Sequence, residues 1–183
     1  MMQTANTVTR HWGTGVVVSE FSLAGIVDSA RVNGADPGGA PYEQIPPGTV
    51  LLDEAALKAE FIASMNVLAA AQDASPVADA ELDVQVWRDG YDLPVTSYPA
   101  DFVGWCFLAA SPAPQHSESG AIAFADPRAG SALTAMPGLP WGRQVMIRPV
   151  PGAHAVVPGW LTCSVVPVEK GQFAVVAVAS SAR

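Results

Sequence analysis

Charged residues are scarce in this 183-residue chain. They make up 14% of the sequence, against about 25% in an average soluble domain, while half of all residues are hydrophobic. We expect subunit contacts to cover part of the surface, because water-facing surfaces usually carry more charge. A monomer whose surface is rich in Ala, Ser, Thr and Gly is the alternative explanation.

Positive charge is scarcer still, since Lys58 and Lys170 are the only lysines and the net charge is −8. The basic stripe that marks nucleic-acid binding is missing, so we expect no nucleic-acid partner. No stretch approaches 18 uncharged apolar residues, and residues 1–11 lack an apolar core. We therefore expect neither a membrane span nor a secretory signal.

Cysteine is also rare. Cys106 and Cys163 are the only two, and two cysteines cannot form the disulfide framework of a small secreted domain. A reduced, cytoplasmic setting is therefore expected.

The length suits one domain over residues 1–183 with a sizeable core. Residues 14–21 read as a first strand, and the Gly- and Pro-rich residues 34–48 as an irregular loop. Asp53 can cap a helix that ends near Asp73. The helix carries an apolar stripe at helical spacing, formed by Leu57, Phe61, Met65 and Leu68.

After residue 80 the apolar pattern changes to short runs bounded by Gly, Pro or Ser. Residues 82–87 alternate between apolar and polar, and further runs follow at 102–109, 120–125, 144–149, 153–157, 161–166 and 172–179. One helix ahead of about seven short strands predicts a mainly β sandwich or barrel.

Two motifs resemble the iron and 2-oxoglutarate-dependent oxygenase family. They are Gly120-Ala-Ile-Ala-Phe-Ala-Asp-Pro-Arg128 and Arg148-Pro-Val-Pro-Gly-Ala-His-Ala-Val-Val-Pro-Gly-Trp-Leu-Thr-Cys-Ser-Val166. In that family the second motif runs from Arg-Pro-x-Pro-Gly through an apolar strand to Pro-x-Trp-Leu-x-His. The resemblance implies a double-stranded β-helix (a jelly roll, or cupin-like barrel) over residues 81–183. One flanking α-helix and the first strand would come from residues 1–80.

The same resemblance implies that the metal centre of the family is lost. In the family, two histidines and one carboxylate hold Fe(II) at one mouth of the barrel. The window for the first two ligands, Val95 to Tyr98, holds neither residue type, and Cys163 stands at the distal histidine. The arginine that binds 2-oxoglutarate would fall near Phe173. The resemblance thus implies a degenerate member with no catalytic residues, no metal and no cofactor. Its vestigial pocket would comprise Val95, Tyr98, Trp105, Cys163 and Phe173.

A relocated metal site is an alternative that the residue types leave open. His116 and Glu118 have the two-residue spacing of a facial pair, and His154 could complete a set of three. Without metal, these would be a solvated loop histidine, a loop carboxylate and a hydrogen-bonded strand histidine.

Tryptophan is the residue type most suggestive of binding. Trp160 follows the family pattern and is expected to belong to the scaffold. Trp141 lies in the loop Pro137-Gly-Leu-Pro-Trp-Gly142 and is expected to form an exposed binding surface.

These observations favour a non-catalytic jelly-roll module that acts in assembly or binding. Protein partners are expected, as a homo-oligomer or a larger assembly. A structural component of a phage-like particle assembled in the cytoplasm is one specific form. The alternatives are an oxygenase-like enzyme with a relocated metal site, and a pseudoenzyme that pairs with an active homologue.

Overall fold

A computed structural model describes residues 14–32, 39–112, 115–128 and 144–182. Within these ranges the strands are β1 (Val17–Glu20), β2 (Tyr42–Ile45), β3 (Ala80–Arg88), β4 (Leu93–Thr96), β5 (Phe102–Ala110), β6 (Ile122–Phe124), β7 (Val145–Ile147), β8 (Ala153–Pro158), β9 (Cys163–Val165) and β10 (Phe173–Ser181). Two α-helices, α1 (Ser29–Val32) and α2 (Glu54–Ala71), and a 3-10 helix (Pro47–Thr49) precede β3. None of the described helices is long and apolar enough to cross a bilayer.

Helix α2 begins where the sequence predicts. The Asp53 carboxylate accepts a hydrogen bond from the backbone N–H of Ala56 at 2.9 Å, which satisfies one of the free donors of the first turn. The helix ends at Ala71, and Asp73 follows in the left-handed region with φ of 53°. All four residues of the predicted stripe are buried, so the predicted helix and its core face are confirmed.

The strands form two antiparallel sheets. One sheet has the order β1-β8-β5-β10-β3-β2, and the other has the order β4-β9-β6-β7. From β3 to β10 the chain passes repeatedly from one sheet to the other, which is the topology of a jelly roll. The chain therefore folds as a double-stranded β-helix, as the sequence predicts.

The larger sheet separates two hydrophobic layers. Its outer face packs against α2, and its inner face packs against the smaller sheet. Because successive side chains of a strand point to opposite faces, β10 supplies both layers, with Ala177 in the outer layer and Val178 in the inner one.

Gly104 lets α2 approach the larger sheet closely. A Cβ atom at this position would lie 2.8 Å from the Phe61 ring and 2.9 Å from the Val156 side chain. The missing side chain on β5 thus leaves room for the Phe61 ring, which is fully buried.

Some of the sequence predictions were too simple. Residues 42–45 were expected to be loop but form β2, and the structure has a second α-helix and more strands than the seven expected. The buried Arg88 holds this region, since its guanidinium donates to the Ala40 carbonyl at 3.0 Å and to the Glu43 carboxylate at 2.8 Å. Both partners lie more than 40 positions away in the sequence, so no local pattern could indicate β2.

Candidate functional site

The interior of the barrel, between the two sheets, is where the sequence places the vestigial pocket. Tyr98 and Trp105 meet edge to face, with ring centroids 5.5 Å apart, and Trp105 lies 5.4 Å from the Phe124 ring. Cys163, at the start of β9, belongs to the same inner layer. Tyr98, Trp105 and Cys163 therefore lie in the same layer, between the two sheets.

The other two residues of the vestigial pocket lie elsewhere, which corrects the sequence prediction. Val95 is 69% exposed, because its position in β4 turns the side chain toward solvent. Phe173 packs against the outer layer, and its neighbour Ala174 faces the inner layer instead. A one-residue difference in strand position moves a side chain to the opposite face of the sheet.

An aromatic stack that the sequence did not reveal completes the inner layer. Tyr91 stacks on Trp87 at 5.2 Å and on Tyr42 at 5.5 Å, so the stack runs from the buried interior to the exposed strand β2. Trp87 also meets Phe107 edge to face at 6.0 Å. Tyr91 follows the Asp89-Gly90 turn, and its partner Tyr42 comes from a distant strand, so local sequence carried no signal for this stack.

Burial suppresses ionisation of the polar groups in this interior. It raises the pKa of Cys163 to about 11 and that of Tyr91 to about 12. The pKa of Tyr98 also rises, chiefly through burial and secondly through the nearby Cys163, although a hydrogen bond with the Trp105 side chain opposes the shift. All three groups are therefore neutral at physiological pH.

We expect both cysteines to resist thiol reagents while the protein is folded. Burial raises the pKa of Cys106 to about 12, and both thiols are at most 1% exposed. At pH 8 only about one Cys163 in a thousand would be thiolate, which is the reactive form. Titration with a chromogenic disulfide should detect both thiols in denaturant and neither within minutes in native buffer. Rapid native labelling would contradict this packing.

The alternative metal trio is not brought together. His116 is exposed in a loop, and its ring Nδ1 accepts a hydrogen bond from the backbone N–H of Glu118 at 3.4 Å. The Glu169 carboxylate holds this loop by accepting from the backbone N–H groups of Gln115 and His116 at 2.9 and 2.8 Å. His116 and Glu118 thus lie in a turn that Glu169, in the segment before β10, holds in place.

His154 lies on the outer face of the larger sheet, away from the barrel interior. Its side chain is fully buried beneath α2, where Nε2 and the Ser64 hydroxyl are hydrogen-bonded at 3.0 Å. The Phe21 and Phe61 rings contact the imidazole edge to face at 5.0 and 4.9 Å. His154 is therefore part of the outer core and cannot reach the barrel interior.

Of the two tryptophans singled out in the sequence, only Trp160 lies within the described residues. Trp141 lies outside the described residues, so its expected binding surface remains a prediction. Trp160, expected in the scaffold, is 57% exposed, which corrects that expectation. Its neighbour Gly159 is fixed by backbone hydrogen bonds to Tyr98 and Asp101 at 2.8 and 3.0 Å, and a Cβ there would clash with the Ala100 carbonyl. This tight turn directs Trp160 outward.

Among the described residues, the donor atoms of the interior do not suit the iron centre of the family that the two motifs resemble. A facial centre needs imidazole and carboxylate ligands that converge. In the part of the chain that the structure describes, no three His, Cys, Asp or Glu side chains converge in this way. The interior offers a thiol and two phenols, and burial keeps all of them protonated.

Comparisons with known proteins address the fold. The sequence matches no protein-family profile and no curated protein sequence. Among solved structures, a prolyl-4-hydroxylase from Pseudomonas putida aligns with a TM-score of 0.51 and 17% identity, over 85% of this chain and 78% of that one. SnoN, a non-heme alpha-ketoglutarate-dependent epimerase from nogalamycin biosynthesis, aligns with a TM-score of 0.53 and 16% identity, over 92% of this chain and 78% of that one. At these identities the likeness shows that the chain shares the double-stranded β-helix fold of these enzymes.

Proposed function

We propose that this chain is a non-catalytic jelly-roll module that acts by binding protein surfaces, including copies of itself. The observation that carries the proposal is the filling of the barrel interior. Trp87, Trp105, Phe107 and Phe124 are each at most 2% exposed and lie between the two sheets. Side chains packed in this way leave the space between the sheets to a hydrophobic core.

The chemistry of the donor set supports the same proposal. Cys163 stands where the family resemblance expects the distal histidine, and a protonated thiol is a poor metal ligand. Val95, in the window for the first ligands, has no lone pair and points to solvent. Phe173 stands where a cosubstrate-binding arginine is expected, and it faces the outer layer. Four residues would therefore have to change to restore the centre and its cosubstrate anchor: two in the Val95–Tyr98 window, Cys163 and Phe173.

An oxygenase-like enzyme is the second candidate, and the comparisons give the observation in its favour. Both structures described above are enzymes, and one depends on alpha-ketoglutarate. Fold alone does not determine function, because one fold carries many activities. The donor set of this chain therefore weighs more than the likeness.

Ligand-observed NMR with 2-oxoglutarate separates the two candidates. Saturation transfer from the protein to millimolar 2-oxoglutarate would be measured anaerobically, with and without Fe(II). The proposal predicts no transfer above that of a matched dicarboxylate, glutarate, under either condition. Iron-dependent transfer that saturates with 2-oxoglutarate would refute it. Binding is measured rather than turnover, so no primary substrate has to be known.

A further inference from the structure

One side of the barrel presents two sheet edges next to each other. Strand β1 ends the larger sheet and β7 ends the smaller one. A groove of about 630 Å³ lies between them, with Val18 and Glu20 on one wall and Met146 and Arg148 on the other. The two sheets are thus open to solvent along this side of the described structure.

The groove carries apolar side chains where a solvated edge would normally be polar. Val18 on β1 and Val150 after β7 line the groove and are 55% and 50% exposed. Val145, which precedes the lining residue Met146 on β7, is 43% exposed. Strand β1 also has no lysine and no proline, which are common safeguards of an exposed edge. An edge with these properties favours pairing with another strand.

The hydrogen-bonding pattern of β1 fixes which backbone groups are available. The N–H of Phe21 donates to the Gly152 carbonyl at 3.2 Å, toward β8. In an antiparallel ladder the backbone groups alternate in direction, so those of Ser19 also point toward β8. The N–H and C=O groups of Val18 and Glu20 therefore point outward, and no described strand pairs with that edge.

The groove carries charges of both signs, so the grooves of two copies of the chain can be electrostatically complementary. Glu20 and Arg148 have opposite signs, lie on opposite walls and are both exposed. Within the described ranges, neither forms an ion pair. A two-fold axis beside β1 would place Glu20 of each copy near Arg148 of the other. A single-sign groove would instead repel its own copy.

From these features we infer that two copies of the chain associate through their β1 strands. The strands pair antiparallel about a two-fold axis at Ser19. Val18 of each copy then exchanges two backbone hydrogen bonds with Glu20 of the other, and the two larger sheets become continuous. Each interface patch is the same on both copies, as a two-fold dimer requires. This inference rests on the proposed binding role and specifies the surface that performs it.

A proline at position 18 tests the backbone pairing. Val18→Pro removes an outward N–H and leaves the donors that face β8 untouched. Analytical ultracentrifugation should show wild-type protein at twice the chain mass of 18.9 kDa and the variant at the chain mass. Circular dichroism of the variant would show whether it is folded.

Charge exchange tests the same surface without altering the backbone. Glu20→Arg and Arg148→Glu alone should each raise the dimer dissociation constant by about tenfold or more, since like charges then meet across the axis. Combining them should restore wild-type affinity to within about threefold. Glu60→Arg, on the exposed face of α2, makes the same charge change away from the interface and should leave the dissociation constant unchanged.

Two results would overturn the inference. One is a wild-type protein that stays monomeric at about 100 μM, roughly a hundredfold above a micromolar dissociation constant. This result would be expected if a segment of the same chain covered the edge. The other is an oligomer that neither the proline nor the single charge variants weaken. A monomer would also remove self-association from the proposed function. Either result leaves the non-catalytic part of that proposal intact, because 2-oxoglutarate binding is measured independently.

Discussion

Replacing Phe61 with alanine is expected to lower the free energy of unfolding by about 3–5 kcal/mol, one of the largest effects of any single change in the chain. The ring is fully buried between α2 and the larger sheet. It fills the space over Gly104 and contacts His154 edge to face. Alanine would leave a cavity that the rigid strands on either side cannot close. Urea unfolding followed by tryptophan fluorescence would measure the loss.

Val67 supplies the matched control for that experiment. It lies on the same helix but is 64% exposed, so Val67→Ala should change the free energy of unfolding by no more than about 0.5 kcal/mol. A loss below 1 kcal/mol for Phe61→Ala would mean that α2 contributes little to the core, contrary to the packing described above.

Acid is expected to destabilise the protein through His154. Burial lowers the pKa of its imidazole to about 4, an effect that the Trp105 carbonyl partly offsets. No hydrogen bond of normal geometry reaches Nδ1, and the surroundings are phenylalanine rings, so a proton taken up there would be poorly stabilised.

The direction of the effect follows from comparing the two states. In the unfolded chain His154 takes up a proton near pH 6.5, whereas in the folded protein it does so only near pH 4. Between these values the unfolded state binds more protons, so stability falls as the pH is lowered. The loss from this residue should reach roughly 3 kcal/mol by pH 4 and level off below that pH, where His154 is protonated in both states. Urea midpoints measured at intervals from pH 7 to pH 4 would follow it.

A double variant isolates the contribution of His154 from that of the carboxylates. His154→Leu with Ser64→Ala removes the titrating ring together with the hydroxyl that is hydrogen-bonded to it, so the Ser64 hydroxyl is not left buried without its partner. The variant should keep only the part of the pH dependence that comes from carboxylates such as Asp79, whose pKa is lowered by its hydrogen bond with Lys58. Identical slopes for variant and wild type would contradict this account.

The large elements of the fold could be predicted because local sequence specifies them. The helical spacing of Leu57, Phe61 and Met65 identified α2, and Asp53 identified its start. The long apolar runs identified β5 and β10, which lie side by side in the larger sheet. Strand β2 escaped prediction because a distant arginine, Arg88, stabilises an otherwise irregular segment.

The candidate site was predicted only in part, because strand register decides which side chains face inward. Of the five residues predicted to share a pocket, Tyr98, Trp105 and Cys163 lie in the inner layer, whereas Val95 is exposed and Phe173 packs against the outer layer. In β10 the residues 173–179 are all apolar, because both faces of the strand are buried, so none of them marks the outward side. The hydrophobicity pattern of β10 therefore gave no means of telling Phe173 from Ala174.

The proposed metal site at His116, Glu118 and His154 shows that spacing in the sequence does not by itself bring side chains together. His116 and Glu118 have the spacing of a metal-binding pair, but they form a turn in a loop that Glu169 fixes. His154 is a core residue whose imidazole is hydrogen-bonded to the Ser64 hydroxyl on α2. A two-residue spacing places two side chains on the same face only when the backbone between them is a strand.

The metal content of the purified protein tests the central claim most directly. Protein prepared without chelator, then incubated anaerobically with Fe(II) and desalted, would be analysed by inductively coupled plasma mass spectrometry. A filled barrel whose thiol and phenols stay protonated should retain far less than one iron per chain, and no more than the Cys163→Ser variant retains. Near-stoichiometric iron that survives desalting would show that the interior binds metal after all.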